Sequence, residues 1–454
     1  MTYQDSLDFL FPLHRFGIKP GLETITQLCK KIGKPEDRLG KVIHIAGTNG
    51  KGSTASMIAS ICQEAGFKTG LYTSPHLSDF KERIRINGEK ISEEKVAFLT
   101  EQLKDKAIEL QATFFEVTTA MAFKHFAEEN VEISVIEVGL GGKYDATNIV
   151  SPFISVITPI GFDHMEQLGD SLEKIASEKA GIIKHNTPVV ISTQNLEALE
   201  VLFRTAKERK SKAILSSAVT GVSISHESLE KLRFHISWNK GGVHDGGYYG
   251  LEVPFIGHFQ AENARVSVIV AELLKIEEAA IRLGLQNVKK NTGHRARLEL
   301  LRKNPYIMLD VSHNEHGIEH SLQTLYNHRH QFNRVIVIFG AMKDKEPIKM
   351  IKHLSYFANE IHFVVPKVTR ALTDDELKSL LSQDELSEQT ISPDKIKFSG
   401  GVSDAVRNAS AAAIENDLIL ITGSFYVASE VLEMPEYSEL NSEINSFTEE
   451  EKSH

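Results

Sequence analysis

With 454 residues, 41% of them hydrophobic and 25% charged, the chain has a soluble globular composition and exceeds what one hydrophobic core usually serves, so two domains are expected. No apolar run approaches the ~20 residues a membrane helix needs, and a formal charge of −10 argues against a broad nucleic-acid footprint. The N-terminus carries acids early and lacks a basic leader or cleavage site, which points to the cytoplasm; Cys29 and Cys62 lack metal or redox spacing and are expected as buried, reduced thiols.

In chain order, residues 42–46 (VIHIA) form a short apolar run ending in glycines, and residues 57–66 (MIASICQEAG) repeat apolar residues at helical spacing, with Gly66 as a C-cap. A further run, TGLYTS, completes a β-α-β order, which implies a parallel sheet whose ligand crevice lies at the carboxyl ends of its strands. ISVIEVG (133–139), FISVIT (153–158) and TPVVIST (187–193) are predicted as further strands, so the first domain reads as doubly wound α/β. Residues 216–250 are polar and glycine-containing and read as hairpins or loops without assigned chemistry. From Tyr306 a second alternation begins, with YIMLDVS, RVIVIFGA, EIHFVVP and LILITGS as strands of a smaller α/β domain. The hinge is expected within residues 289–297, dividing the chain into 1–294 and 295–436, and the acidic end, 437–454, is expected to be a poorly ordered tail.

The sharpest local signal is AGTNGKGST, residues 46–54, set between a predicted strand and a predicted helix. Glycines 47, 50 and 52 let backbone N–H groups wrap a phosphate chain, Lys51 adds a point charge, and the helix start adds its positive end. It is a variant loop: fewer residues separate the first glycine from Gly-Lys than in the strict pattern, and Gly52 parts Lys51 from Ser53. Glu137 ends an apolar strand in EVGLGG, where a carboxylate beside a phosphate loop can hold Mg²⁺. His164 in ITPIGFDHMEQLGD follows a strand in the same way, although an isolated histidine is more often structural. Lys179 in SLEKIASEKAGIIK has the spacing of a solvated helix lysine, and spacing alone does not mark it out.

Taken together, HIAGTNGKGST, LYTSPHL with ERIRING, FFEVTTAMAF, EVGLGGKYDATN and ITPIGFDHMEQLGDSLEKIASEKAGIIK, in that order, resemble the folylpolyglutamate synthase/dihydrofolate synthase family within the Mur-ligase-like ATP-dependent amide ligases. The resemblance runs from about Leu7 to Leu432 and is looser in the second half. It implies a Mur-ligase central-type phosphate-loop domain followed by a Rossmann-like one, with ATP, Mg²⁺ (two ions) and a carbamate on Lys179 as cofactors. Position by position, it implies that Thr48, Asn49, Gly50, Lys51, Gly52 and Ser53 hold the ATP phosphates and that Ser74, Glu137, His164 and carbamylated Lys179 hold the metal. Lys51, His164 and Lys179 form the catalytic set. The pterin or pteroate pocket falls to Phe115, Glu116, Tyr144, Asp145 and Ala146, with Ile18, Lys19 and Pro20 of IKPG. In the later half, Gln260 and Asn263 match nucleotide contacts, as do Asp310 and His313 of LDVSHNEHG. Arg297 of GHRARLE matches an arginine on the ATP phosphates; relatives more often show WPGR there, which leaves Arg295 as the alternative. Lys345 and Ser424 are further candidates.

The implied activity is transfer of L-glutamate onto a folate or dihydropteroate carboxylate through an acyl phosphate, with domain closure excluding water and small molecules as the only partners of a monomer. Two alternatives stand beside it: a related ligase joining an amino acid to a peptidoglycan precursor, and a nucleotide switch that keeps the loop without the chemistry. FFEVTTA and DATN favour the pterin-bearing substrate, and Glu137, His164 and Lys179 together disfavour the switch.

Overall fold

The computed structural model describes residues 1–16, 21–239, 246–384 and 393–437. Among these the chain forms two compact units. The first takes in Met1–Ser225, Arg233–Val253 and Gln260–His294; the second takes in His226–Leu232, Pro254–Phe259 and the chain from Arg295 onward.

In the first unit the strands are β1 (Lys41–Ala46), β2 (Thr69–Tyr72), β3 (Ile84–Ile86), β4 (Glu89–Lys90), β5 (Ile133–Glu137), β6 (Ile154–Ile157), β7 (Val189–Ile191) and β8 (Ala213–Leu215). They make one sheet in the order β4-β3-β2-β5-β1-β6-β7-β8. From β2 to β8 the pairings are parallel, and β3 and β4 add an antiparallel edge. The inner strands are near-continuous runs of Val and Ile because helices cover both faces, which is the requirement of a parallel sheet. β1 lies between β5 and β6 with Ile45 opposite Glu137 and Ala46 opposite Ile157, so the carboxyl ends of three strands come level. The region expected as hairpins or loops contributes β9 (Thr220–Glu227), β10 (Leu232–Trp238) and β11 (Gly247–Val253), a three-stranded sheet in the order β11-β10-β9.

The helix Lys51–Glu64 after β1 is buried along Ser53–Cys62, which explains its small residues: Ala55, Ser56, Ala59 and Ser60 admit neighbours closely. Helix Glu278–Gln286 approaches it most tightly at Gly284, where a Cβ would lie 2.4 Å from Ile61 Cα and Ser60 Oγ donates to the Gly284 carbonyl at 2.6 Å. Cys29 and Cys62 are buried free thiols.

The second unit has β12 (Glu299–Lys303), β13 (Tyr306–Leu309), β14 (Val335–Phe339), β15 (Glu360–Phe363), β16 (Ile396–Phe398) and β17 (Leu418–Thr422) in the order β12-β13-β17-β14-β15-β16. Among the described strands of this sheet only β12 pairs antiparallel. Its core gathers Leu325, Val337, Phe339, Leu354, Phe363 and Leu420. Tyr437 is buried, and the rest of the expected acidic tail, from 438, lies outside the described residues.

His44 in the middle of β1 is fully buried, with Nε2 2.8 Å from Thr147 Oγ1. Burial, and secondarily Lys184, pushes its pKa from 6.5 down to about 3. Between those values the unfolded chain binds a proton that the folded chain refuses. Stability therefore falls as pH drops from 6.5 towards about 3, by up to ~1.4 kcal/mol per pH unit from this group. His44→Gln keeps a hydrogen-bonding group without the titration, and should flatten the acid limb of denaturant midpoint plotted against pH. An unchanged slope would remove His44 as its source.

Candidate active site

At the end of β1 the chain turns through Gly47, where a Cβ would lie 1.9 Å from Thr158 Oγ1. The backbone N–H groups of Thr48 and Asn49 donate to the Pro159 carbonyl at 2.9 and 3.3 Å. Thr48 Oγ1 donates to Gly161 O at 3.0 Å and accepts from Gly161 N at 3.1 Å, so this side chain ties the loop to the segment after β6. Gly50 then caps the helix at φ +84°, with its Cα against Asn263: a Cβ would lie 2.5 Å from Asn263 Oδ1. No side chain caps the helix start. Its first N–H groups have no carbonyl one turn back, and they carry the positive end of the helix dipole.

Two amines converge on one carbonyl in this loop. Lys51 Nζ folds back to Gly47 O and Thr48 O, 3.2 Å each, and Lys179 Nζ donates to the same Gly47 O at 2.8 Å. Lys179 is 4% exposed. Its position comes from packing: the end of helix Leu172–Ala180 presses on the EVGLGG turn, where a Cβ on Gly142 would lie 2.8 Å from Glu178 O. Burial first, and the neighbouring Lys51 charge next, lower its pKa from 10.5 to about 7, against the pull of Asp163, Asp145 and Glu178.

Glu137 is buried at the end of β5 and its Oε2 accepts from Ser74 N at 3.1 Å. A Cβ on Gly52 would lie 3.6 Å from that same oxygen, which places the carboxylate against the loop. His164, in the left-handed region at φ +51°, lies beside Asp163, its Nε2 3.9 Å from Asp163 Oδ2. Among the described residues no three His, Cys, Asp or Glu side chains gather as a metal cluster. The expected set uses instead a hydroxyl, one carboxylate, one imidazole and a modified lysine. The hydroxyl and carboxylate oxygens fit Mg²⁺, which keeps waters and substrate phosphates among its ligands, and the imidazole nitrogen is the less usual member of such a set.

The residues expected around the pterin divide into two kinds. Phe115 packs its ring on Gly139, where a Cβ would lie 2.4 Å from Cζ, and Tyr144 is half exposed beneath Lys143 Nζ, 4.8 Å from the ring centre. Ala146 is buried. Glu116 and Asp145 serve their own turns: Glu116 Oε2 accepts from Thr113 N and Oγ1 at 2.8 and 2.9 Å, and Asp145 accepts from Leu140 N, Thr147 N and Thr147 Oγ1. Burial raises the Asp145 pKa. Ile18, Lys19 and Pro20 lie outside the described residues.

Gln260 and Asn263 lie one turn apart on helix His258–Leu273, joined by a 3.1 Å hydrogen bond. Gln260 Nε2 is buried and has no hydrogen-bond partner among the described residues, an unspent donor on the helix that brings Asn263 to the loop.

In the second unit, Asp310 accepts from Leu298 N at 3.3 Å and Ser321 Oγ at 2.7 Å. His313 Nδ1 is 3.0 Å from Val311 O. Arg295 is buried against Glu299 at 3.0 Å, whereas Arg297 lies over the Phe425 ring at 5.3 Å. Ser424 caps the helix Phe425–Leu432, and Lys345 Nζ lies 3.8 Å from Asp344.

Sequence reasoning missed two groups. Arg83 donates from Nε to His76 Nδ1 at 2.7 Å and lies over Phe114, whose ring also stacks with His14 at 4.1 Å. Burial and the Arg83 charge push the His76 pKa down to about 3. SPHL and ERI carried the signal, without a role. The second is His294, 3.0 Å from Ser53 Oγ.

Residues 45–271 match the Mur ligase middle domain, and residues 296–425 match the Mur ligase, glutamate ligase domain. The chain is 37% identical over 446 residues to the dihydrofolate synthase/folylpolyglutamate synthase of Bacillus subtilis, covering 95% of this chain and 98% of that protein. Among solved structures it resembles Mycobacterium tuberculosis folylpolyglutamate synthase complexed with ADP, with TM-score 0.83, 28% identity, and 94% and 98% of the two chains covered. It also resembles E. coli FolC in complex with DHPP and ADP, with TM-score 0.82, 26% identity, and coverage of 95% and 97%.

The contact at Gly47 makes a direct test of loop packing. Gly47→Ala should lower stability by about 1–3 kcal/mol through overpacking, read as a shift in denaturant midpoint. Adding Thr158→Ala, which removes the nearest atom, should recover part of the loss; no recovery would mean that strain lies elsewhere.

Proposed function

Because the chain belongs to the folylpolyglutamate synthase/dihydrofolate synthase family of Mur-type ligases, we propose that it joins L-glutamate to the carboxylate of a folate or of dihydropteroate at the expense of ATP. The observation that carries this reading is the uncapped start of helix Lys51–Glu64, with two lysine amines on the Gly47 carbonyl and the Glu137 carboxylate facing Gly52.

The chemical difficulty is that a carboxylate resists attack by an amine. In the proposed sequence the acceptor carboxylate attacks the γ-phosphorus in line and ADP leaves, forming an acyl phosphate. The neutral amine of glutamate then adds to the activated carbonyl, phosphate leaves and a proton is lost, giving the amide. The N–H groups at the helix start hold the phosphates, and the Lys51 ammonium balances charge on the transferred group. Asn263, carried against Gly50, and the unspent Gln260 donor support nucleotide contacts on the same side.

Ser74, Glu137, His164 and Lys179 would hold Mg²⁺, which supplies charge neutralisation for phosphoryl transfer. A neutral amine can add CO₂ with loss of a proton, and the depressed Lys179 pKa supports that modification. In this reading residues 1–294 bind ATP, metal and folate, and 295–436 form the second ligase domain, with Arg297, Asp310 and His313 as further nucleotide ligands. Phe115, Glu116, Tyr144, Asp145 and Ala146, with Ile18, Lys19 and Pro20, line the pterin pocket. The enzyme would act as a cytoplasmic monomer on small molecules; the charge of −10 supports the exclusion of nucleic acid.

Purified protein with ATP, Mg²⁺ and labelled glutamate, given dihydropteroate and tetrahydrofolate in separate reactions, should yield a product heavier by one glutamyl residue in at least one of them. Lys51→Ala should keep the fold and lower turnover by roughly 10²–10³, and near-normal turnover would refute its role. Lys179→Ala should be inactive and partly restored by a small added carboxylate; full activity without the additive would remove the carbamate from the scheme.

A further inference from the structure

Ser53 Oγ and His294 Nε2 lie 3.0 Å apart although 241 positions separate them in sequence. His294 follows the short helix Val288–Thr292, whose end turns at Gly293 in the left-handed region, φ +62°, over Arg85: a Cβ there would lie 2.8 Å from Arg85 Nη2. That segment is fastened along the phosphate-loop helix. Asn291 Nδ2 donates to Ser60 Oγ at 3.0 Å and to Glu64 Oε1 at 2.8 Å, and Asn287 Nδ2 donates to Glu64 Oε1 at 2.9 Å. A Cβ on Gly52 would lie 3.5 Å from His294 Cε1 and 3.6 Å from Glu137 Oε2, so the ring stands at the mouth of the loop. Packing, not a chance rotamer, delivers this imidazole to Ser53.

A serine hydroxyl has one proton and a phosphate oxygen only accepts. Were Nε2 unprotonated, it would take the Ser53 proton and leave lone pairs facing an anion. With the proton on Nε2, His294 donates to Ser53 Oγ and the hydroxyl proton is left to donate onward. We propose that His294 is a positioning residue whose Nε2–H, donated to Ser53 Oγ, aims the Ser53 hydroxyl proton at a phosphate oxygen of bound ATP. The inference rests on the reading above that the loop takes ATP phosphates, and it goes beyond that reading by assigning the histidine and its tautomer.

Calorimetric titration of the full chain with ATP separates the two. A chain that binds no ATP sinks the loop reading and this inference together, whereas normal binding with indifferent His294 variants sinks only the inference. His294→Ala is expected to raise KM for ATP about tenfold, with a smaller change in kcat. His294→Gln or His294→Asn, whose amide can donate, should recover part of the loss. In a Ser53→Ala background the further effect of His294→Ala should be less than about twofold; full additivity overturns the pathway through Ser53. The tautomer is readable without any loss of fold. In long-range ¹H–¹⁵N spectra of the unsubstituted protein with β,γ-methylene ATP, the ring assigned by its disappearance in His294→Gln should show a protonated Nε2. A ring protonated only at Nδ1 overturns the proposal.

Discussion

The register of three parallel strands governs this molecule. β1 is held between β5 and β6 so that Ile45 stands opposite Glu137 and Ala46 opposite Ile157. A parallel ladder brings all carboxyl ends to one side, and the chain leaves each strand into a loop there. From that edge come Gly47 and the uncapped helix start, the Glu137 carboxylate, and the Pro159–Gly161 segment that receives Thr48. No loop has to reach far, so a one-residue slip of β1 against either neighbour would turn buried side chains outward and dismantle the site together with the core.

Once the loops meet, electrostatics decides what they can hold. Two lysines at one carbonyl oxygen repel each other, and burial makes the charge on Lys179 costly. The arrangement is uneven: Lys51 is the more exposed partner, while Lys179 loses much of its affinity for a proton. An opposing carboxylate close to both would erase that difference. Glu137 faces Gly52 and Ser74, and the pull of Asp163, Asp145 and Glu178 on Lys179 is outweighed by burial and the Lys51 charge.

Much of the fold could be read because the inner strands are apolar runs of β-branched residues bounded by Gly, Pro or Thr. β3, β4, β8, β12 and β16 were not singled out as strands: four of them have two or three residues, too few to show a period, and the five-residue β12, ELLRK, ends in exposed charged side chains. The glycine loop was legible in its own residues, since spacing and context carry its chemistry. Lys179 was not, because SLEKIASEKAG looks like a solvated helix and its burial comes from a turn near Gly142, distant in sequence. His294 is beyond local reading for the same reason: its partner lies in another element. Glu116 offered a signal of another kind. Thr113-Phe-Phe-Glu116 is a capping box, and Asp145 before Thr147 is a cap of the next short turn.

Those two carboxylates constrain how the proposed pterin pocket can recognise its ligand. Glu116 holds the start of helix Phe114–Glu128 through Oε2, and Asp145 holds three donors of its own turn. A ligand that took either carboxylate fully would release a helix cap or expose unpaired N–H groups, at a cost of about 1 kcal/mol or more. The groups that can turn towards a ligand without dismantling their support are ring faces and backbone, with the half-exposed Tyr144 foremost. On the proposed reading, shape and stacking against a planar ring would be the contacts that leave these turns intact.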